Sequence, residues 1–366
     1  MKISILSHNL SSNAAMRALR LALMAQHFAE VEVIGPVEKR GPWPAFPDSL
    51  PLRTVRKKRF PEFFTSLQAL IELATGDMLI AVKPQLASLG AALLAAALHP
   101  RPVLLDFDDL DSSLAPREEW SQHPGMADLT RPGSPVYVAL LERAAPVADL
   151  RTAASRCLAQ RFDAHLLPHG AMQVDPAAFP RAAARRHLGL PEDEHLIAFP
   201  GTPHPHKGVE VLLQAMEGTG ACVVVTCRPE DLAHEPSSHL IRIPLLPFDQ
   251  VPWLFAAADI VAIPQTDIGA AQYQMPIKLY DAMAMGCAIV STRVSDIEET
   301  LGGAGLIVPP GDEVALRAAI LDLLDDPGAA RSLGARARER SCDLYSIERM
   351  AEVLRSTIDG CLERVA

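Results

Sequence analysis

Short apolar runs alternate along the chain with stretches in which apolar residues recur every three or four positions, from the first residues to the last. Ile3–Leu6 reads as a buried strand. A polar loop, Ser7-His8-Asn9-Leu10-Ser11-Ser12-Asn13, follows, then a helix over 14–28 with Ser12 or Asn13 as its cap. Val31–Ile34 completes a β-α-β opening. The same pattern predicts strands at 81–82, 103–105, 149–152, 196–199, 221–226, 259–264 and 288–290, a last strand and turn over 306–312, and helices over 136–145, 209–216, 251–258, 314–324 and 346–365. Leu86 to Leu98 is the longest largely apolar run; it falls short of the roughly 20 residues a membrane span takes and reads as a buried helix. Residues 111–135 are polar and proline-punctuated, a long loop or lid. The apolar pattern breaks again at 180–194, which reads as a linker. Strand and helix in alternation imply an α/β protein with parallel sheets, and 366 residues exceed one ordinary core. The expected division is 1–185, 186–345 and a closing helix, 346–366.

Charge sharpens this division. Residues 1–180 hold 18 basic and 18 acidic side chains, whereas 181–366 hold 16 and 26, so the net charge of −10 belongs to the second half. A nucleic-acid-binding role would want a basic domain and is excluded. The chain enters a strand at once, which leaves no room for a signal peptide. The six cysteines (157, 222, 227, 287, 342, 361) lack metal-ligand or disulfide spacing and read as reduced core residues of a cytoplasmic protein. Residues 53–64 set five cations against three phenylalanines. Such a segment either docks on an anionic membrane surface, each cation adding about 1 kcal/mol, or is a solvated basic loop with its rings turned inward.

Three stretches carry candidate chemistry. Pro276-Ile277-Lys278-Leu279-Tyr280-Asp281 opens a helix whose free N–H groups and Lys278 suit a phosphate, and Asp281 could accept from sugar hydroxyls. Gly286 is its left-handed C-cap. Strand 196–199 runs into Pro200-Gly201-Thr202-Pro203-His204-Pro205-His206-Lys207-Gly208, a second loop with a cation before a helix. Strand 103–105 ends in Asp106-Phe107-Asp108-Asp109. An Asp-x-Asp here admits two readings: carboxylates holding Mn²⁺ or Mg²⁺ on a diphosphate, or carboxylates hydrogen-bonding sugar hydroxyls. The opening loop lacks a Gly-x-Gly fingerprint, which argues against dinucleotide binding there.

The run Pro276 to Gly286, followed by Ile289-Val290-Ser291-Thr292, resembles the donor-site motif of glycosyltransferase family 4, retaining enzymes of the GT-B fold. That fold has two Rossmann-like doubly wound domains facing across a cleft, with the C-terminal helix crossing back to the first. Gly201 to Gly208 resembles the family's diphosphate loop, with Lys207 at its lysine and Thr202 at its arginine; His204 or His206 would supply the missing donor. Tyr273 stands where the first of two family glutamates is usual, and Asp281 at the second, which holds the donor ribose. Leu166-Leu167-Pro168-His169-Gly170, with Asp175 and Phe179, resembles the segment before the interdomain linker, with His169 in place of asparagine. The resemblance implies a nucleotide-diphosphate-sugar donor, no metal and no other cofactor. It implies catalytic roles for Lys207, Asp108 and Asp109, and donor contacts from Gly201, Thr202, His204, Lys207, Gly208, Arg228, Pro247, Pro276, Ile277, Lys278, Leu279 and Asp281. Ser11, Ser12, Asn13 and Arg17 fall on the acceptor side. The acceptor is a hydroxyl compound, with lipid-linked acceptors among those the family uses, and a peripheral place on the inner face of the membrane is one reading of 53–64. The alternatives are a nucleotide-sugar-binding protein without transfer, suggested by Thr202 and Tyr273, and an epimerase or phosphorylase of the same fold.

Overall fold

The computed structural model describes residues 1–365 apart from 45, 48, 115–127, 229–230, 233–238 and 270, so most of the expected lid lies outside the described residues. The chain forms two compact units: Met1–His169 with Ile347–Ala366, and Gly170–Ser346.

The first unit is built on a parallel seven-stranded sheet in the order β3-β2-β1-β4-β5-β6-β7. Its strands are β1 (Lys2–Ser7), β2 (Glu30–Val37), β3 (Leu52–Arg56), β4 (Met78–Val82), β5 (Val103–Phe107), β6 (Leu150–Ala153) and β7 (His165–Leu166). The central strands β1, β4 and β5 are buried along most of their length, as their largely apolar runs require of a sheet covered on both faces. The closing helix, Ile347–Val365, belongs to this unit and packs on the helix Met16–Ala25. The second unit holds a six-stranded parallel sheet, β10-β9-β8-β11-β12-β13. Its strands are β8 (Leu196–Phe199), β9 (Cys222–Thr226), β10 (Leu240–Ile243), β11 (Ile260–Ile263), β12 (Ala288–Thr292) and β13 (Leu306–Val308).

Several expectations are corrected. The supposed linker contains a helix, Arg181–Leu188, closed by Gly189 in the left-handed conformation. Its Arg185 is buried and ties the helix to the Ala257, Glu192 and Glu194 carbonyls and to Asp259. Residues 170–185 therefore go with the second unit, and the break comes at His169 rather than 185. The Leu86–Leu98 segment is a π-helical turn and a helix with one open face, Leu94 and Leu98 being exposed. Ser12 makes no side-chain cap; the first helix proper begins at Met16. Cys157 and Cys342 lie at the surface rather than in the core. In the 53–64 segment Phe63 is buried and Phe64 exposed, so neither reading of its rings covers both.

Candidate functional site

In each sheet the strand order reverses once, between β1 and β4 and between β8 and β11. A doubly wound sheet receives ligands outside the carboxyl ends of its strands at such a point. The Gly201–Gly208 loop leaves β8, and Pro264-Gln265-Thr266 leaves β11, so both loops stand at the second unit's reversal.

Close backbone approach fixes this corner. A Cβ on Gly208 would stand 1.8 Å from the Pro264 carbonyl oxygen, and φ there is +72°, so glycine alone fits. The Thr266 N–H donates to the His206 carbonyl at 3.0 Å, and the His206 ring meets the Gln274 side chain at 3.2 Å. The Gly201 N–H donates to Thr226 Oγ1 at 2.8 Å, which pins the loop to the end of β9. A Cβ on Gly201 would lie 2.8 Å from Lys278 Nζ, so the helix Ile277–Ala284 delivers its lysine against the glycine turn. Lys278 Nζ also lies 4.6 Å from the centre of the Phe199 ring. Desolvation, and then the charge of Lys207, pull the Lys278 pKa well below the ordinary lysine value. Two cations thus crowd one glycine-lined corner, an arrangement that favours an anion.

The remaining expected donor residues divide. Pro276 caps the 277–284 helix, Ile277 is half-buried and Leu279 lies in the core. Thr202 is half-buried at the loop. His204 is exposed and stacks on His206, ring centres 5.7 Å apart; desolvation, Lys207 and His206 pull its pKa down to about 4. It is therefore neutral at pH 7 and offers one hydrogen-bond donor but no charge in place of the missing arginine. The Arg228 backbone N–H donates to Asp231, and Pro247 is exposed beyond β10; both follow strand ends on the same side of the sheet. Asp281 departs from expectation. It is buried, and Oδ1 accepts from the Met172 N–H at 2.9 Å, so that oxygen holds the 170–172 segment rather than facing outward. Sequence reasoning passed over Gln265, whose buried amide has no hydrogen-bond partner at either atom. Its position directly after the strand-ending Pro264 was the available signal.

In the first unit the four strand-end carboxylates gather around two cations. Arg17 is fully buried and forks onto Asp106 with two bonds of 2.8 Å, while Thr152 donates to the same carboxylate at 2.7 Å. Arg17 is thus the internal partner of Asp106 and not a residue that can meet an acceptor. Ser11 is likewise consumed inside the loop, accepting from the Glu38 N–H at 2.8 Å; Ser12 is half-buried and Asn13 exposed. Arg17 has only donors, so His169 Nδ1, 3.2 Å from its guanidinium, accepts, and the Nε2–H faces Asp108 at 3.4 Å. Lys83, just past β4 with φ +69°, is ion-paired to Asp109 and lies 3.7 Å from Asp108 and 3.8 Å from Asp111. Burial lowers the Lys83 pKa, but the three carboxylates outweigh it and hold it well above the ordinary value. Burial, then the neighbouring Asp109, push Asp108 above the usual carboxylate range. Asp106 pairs with Arg17 and Asp108 lies near Lys83, so both carboxylates of the Asp-x-Asp sit in an internal ion network. Among the described residues no group of three His, Cys, Asp or Glu is placed to hold a metal ion.

Residues 194–326 match the family model for glycosyl transferases group 1. A D-inositol 3-phosphate glycosyltransferase of Salinispora arenicola is 27% identical over 207 residues, 50% of this chain and 43% of that one. The chain thus spans less than half that relative's length. Sucrose-phosphate synthase from Thermosynechococcus elongatus superposes with a TM-score of 0.73 at 18% identity, covering 100% of both chains. Anabaena HepE in complex with UDP-glucose superposes with a TM-score of 0.71 at 15% identity, over 98% of this chain and 100% of that one. The family match thus lies within the second unit, and the two parallel sheets have the GT-B fold of these solved structures.

Proposed function

We propose that the chain is a retaining glycosyltransferase of family 4 that moves a hexose from a nucleotide-diphosphate sugar to an acceptor hydroxyl without a metal ion. The observation that carries the reading is the second unit's corner, where the Gly201 turn, Lys207 and Lys278 meet at the sheet's reversal point. Breaking the glycosidic bond leaves negative charge on the departing diphosphate. Lys207, Lys278 and the backbone N–H groups at the start of the 277–284 helix stand ready to stabilise that charge without reorganising. HepE, bound to UDP-glucose, supports a donor of this class. Thermal-shift titration of the whole chain with UDP-, GDP-, dTDP- and ADP-sugars tests the reading, since a donor stabilises the fold by mass action. One donor class should raise the melting temperature. Lys207→Ala should then cut transfer by about a hundredfold or more, the scale of one lost oxyanion-type contact. Undiminished turnover in that variant would remove Lys207 from the mechanism. The presence of Thr202 and Tyr273 favours a second reading, a donor-binding protein without transfer. Donor binding with no sugar reaching any acceptor would select it.

The acceptor surface we propose is membrane-borne. Exposed Phe64 and Leu129 flank Phe60 and Tyr137, whose rings lie 5.1 Å from Phe64 and 5.6 Å from each other in the pairs Phe60–Phe64 and Phe60–Tyr137. Arg53 and Lys57 are paired to Glu32 and Glu38, which reduces the cations open to lipid; Arg59 and Arg131 share Asp128, leaving one charge in excess. Among the described residues no helix is long and apolar enough to cross a membrane, and docking at the cytoplasmic face is the proposed mode. Flotation with vesicles of anionic lipid, lost on Phe64→Ser, is the expected result; flotation unaffected by that change would overturn it.

A further inference from the structure

The first sheet's reversal point, between β1 and β4, is also built as a polar site. His8 follows β1, Lys83 and Gln85 follow β4, and Asp108, Asp109 and Asp111 follow β5. Gln85 hydrogen-bonds the Asp111 carboxyl, and a Cβ on Gly133 would stand 3.3 Å from Gln85 Oε1, which brings Ser134 alongside. Three buried side-chain atoms here have no hydrogen-bond partner: His8 Nδ1, Asp111 Oδ2 and Ser134 Oγ. Ser134 is only 2% exposed. A buried polar atom left unpaired costs about 1–3 kcal/mol, so three around one strand edge point to something that pairs them. Lys83 holds a left-handed backbone, and strain of that kind collects where a ligand is gripped.

The charges choose the ligand. Lys83 is the one cation among three carboxylates, and Asp109 already occupies it. Lys57, whose charge also reaches His8, is paired with Glu38 at 3.0 Å, and Arg17 is spent on Asp106. Burial, Lys83 and Lys57 hold the His8 pKa down to about 3, so its imidazole is a neutral hydrogen-bonding group. An imidazole, a carboxylate oxygen and a hydroxyl match vicinal hydroxyls, which both donate and accept. A phosphate would meet repulsion, with no cation among the described residues of this edge left to answer it. We infer that this edge binds the hydroxyls of a phosphate-free polyol or saccharide, and that this compound is the acceptor. Only the word acceptor rests on the glycosyltransferase reading. The inference separates this chain from its Salinispora relative, named for an inositol 3-phosphate.

Calorimetric titration of the whole chain, with UDP or GDP present, tests this on matched pairs: myo-inositol against D-myo-inositol 3-phosphate, and mannose against mannose 6-phosphate. The uncharged member of at least one pair should bind about tenfold more tightly than its phosphate, a difference of about 1.4 kcal/mol. Asp111→Asn should narrow that ratio, and Ser134→Ala should weaken the uncharged ligand about fivefold. Should Asp111→Asn fail to fold, Asp108→Asn, which removes another of the carboxylates around Lys83, serves in its place. Tighter binding of the phosphates, no binding by any member, or a ratio untouched by the variants would overturn the inference. Nucleotide-induced thermal shifts on the same samples read the other unit separately. Polyol binding with its charge preference but no nucleotide effect would sink the glycosyltransferase reading and spare this one.

Discussion

Gly208 admits no side chain, because its neighbour's carbonyl fills the place a Cβ would take. Gly208→Ala combines that overlap with a left-handed backbone, and should cost about 3 kcal/mol in urea unfolding. Lys278 shows the opposite balance. Its ammonium is desolvated against Phe199 and Gly201 and repelled by Lys207, so in the free protein it is a liability. Lys278→Met keeps the stem and removes the charge. It should therefore raise the melting temperature of the free protein while abolishing the shift that a nucleotide diphosphate produces. Calorimetric scans with and without nucleotide check both halves; a destabilised free protein would show that the charge is better satisfied than its surroundings indicate. The motif residues made Lys207 and Lys278 legible in the sequence. Asp281 was not, since a carboxylate one turn into a helix can face a ligand or a neighbouring backbone, and only packing showed it turned to Met172.

Elements with an apolar period were read from sequence nearly to the residue: strand Leu196–Phe199 and helix Val209–Met216 match in full. Three of those missed lack such a period for physical reasons. β3 is an edge strand carrying Arg53, Thr54 and Arg56, and polar residues there discourage further pairing. The Arg181–Leu188 helix buries an arginine stem and its fork rather than leucines, so its packed face looks polar. Helix Pro327–Tyr345 packs through Gly334 and Ala337, and Gly334 lies so near Gly286 that a Cβ would stand 2.1 Å from its carbonyl. The closing helix was legible, and its burial gives it a measurable weight. Ile347, Met350, Leu354 and Ile358 are all buried in the first unit. At about 1.5–3 kcal/mol each they contribute as much as the usual stability of a whole domain. A chain ending at Ser346 should thus lose amide-exchange protection in β1 and β2 while β8 to β12 keep theirs. Equal protection in both sheets would show that the helix is an accessory.

Over the whole molecule, two reversal points of the same topology carry opposite charge, cations at one and carboxylates at the other. The second half is acidic in sum while Lys207 and Lys278 meet at its corner, which is why net charge could not locate the site. The first unit's cluster also sets a pH signature. Burial, opposed in part by Lys83, raises the Asp111 pKa to about 6 from an ordinary 3.8, whereas His8 is held near 3 against 6.5. Asp111 therefore contributes stability that is complete below pH 3.8 and is lost as pH rises through 6. His8 does the reverse: its contribution is complete above 6.5 and is lost as pH falls through 3. Between pH 6 and 4 the His8 and Asp111 slopes, each up to about 1.4 kcal/mol per pH unit, oppose and largely cancel one another, so the change left there is the one Asp108 sets. His8→Asn leaves the Asp111 slope alone, so the variant should grow more stable on acidification from pH 6 to 4.5. Asp108, raised by the same burial, adds to that direction. Urea midpoints of both proteins at the two pH values decide the matter: parallel profiles would mean that His8 is not held neutral in the fold, and the hydrogen-bonding site proposed around it would lose its first member.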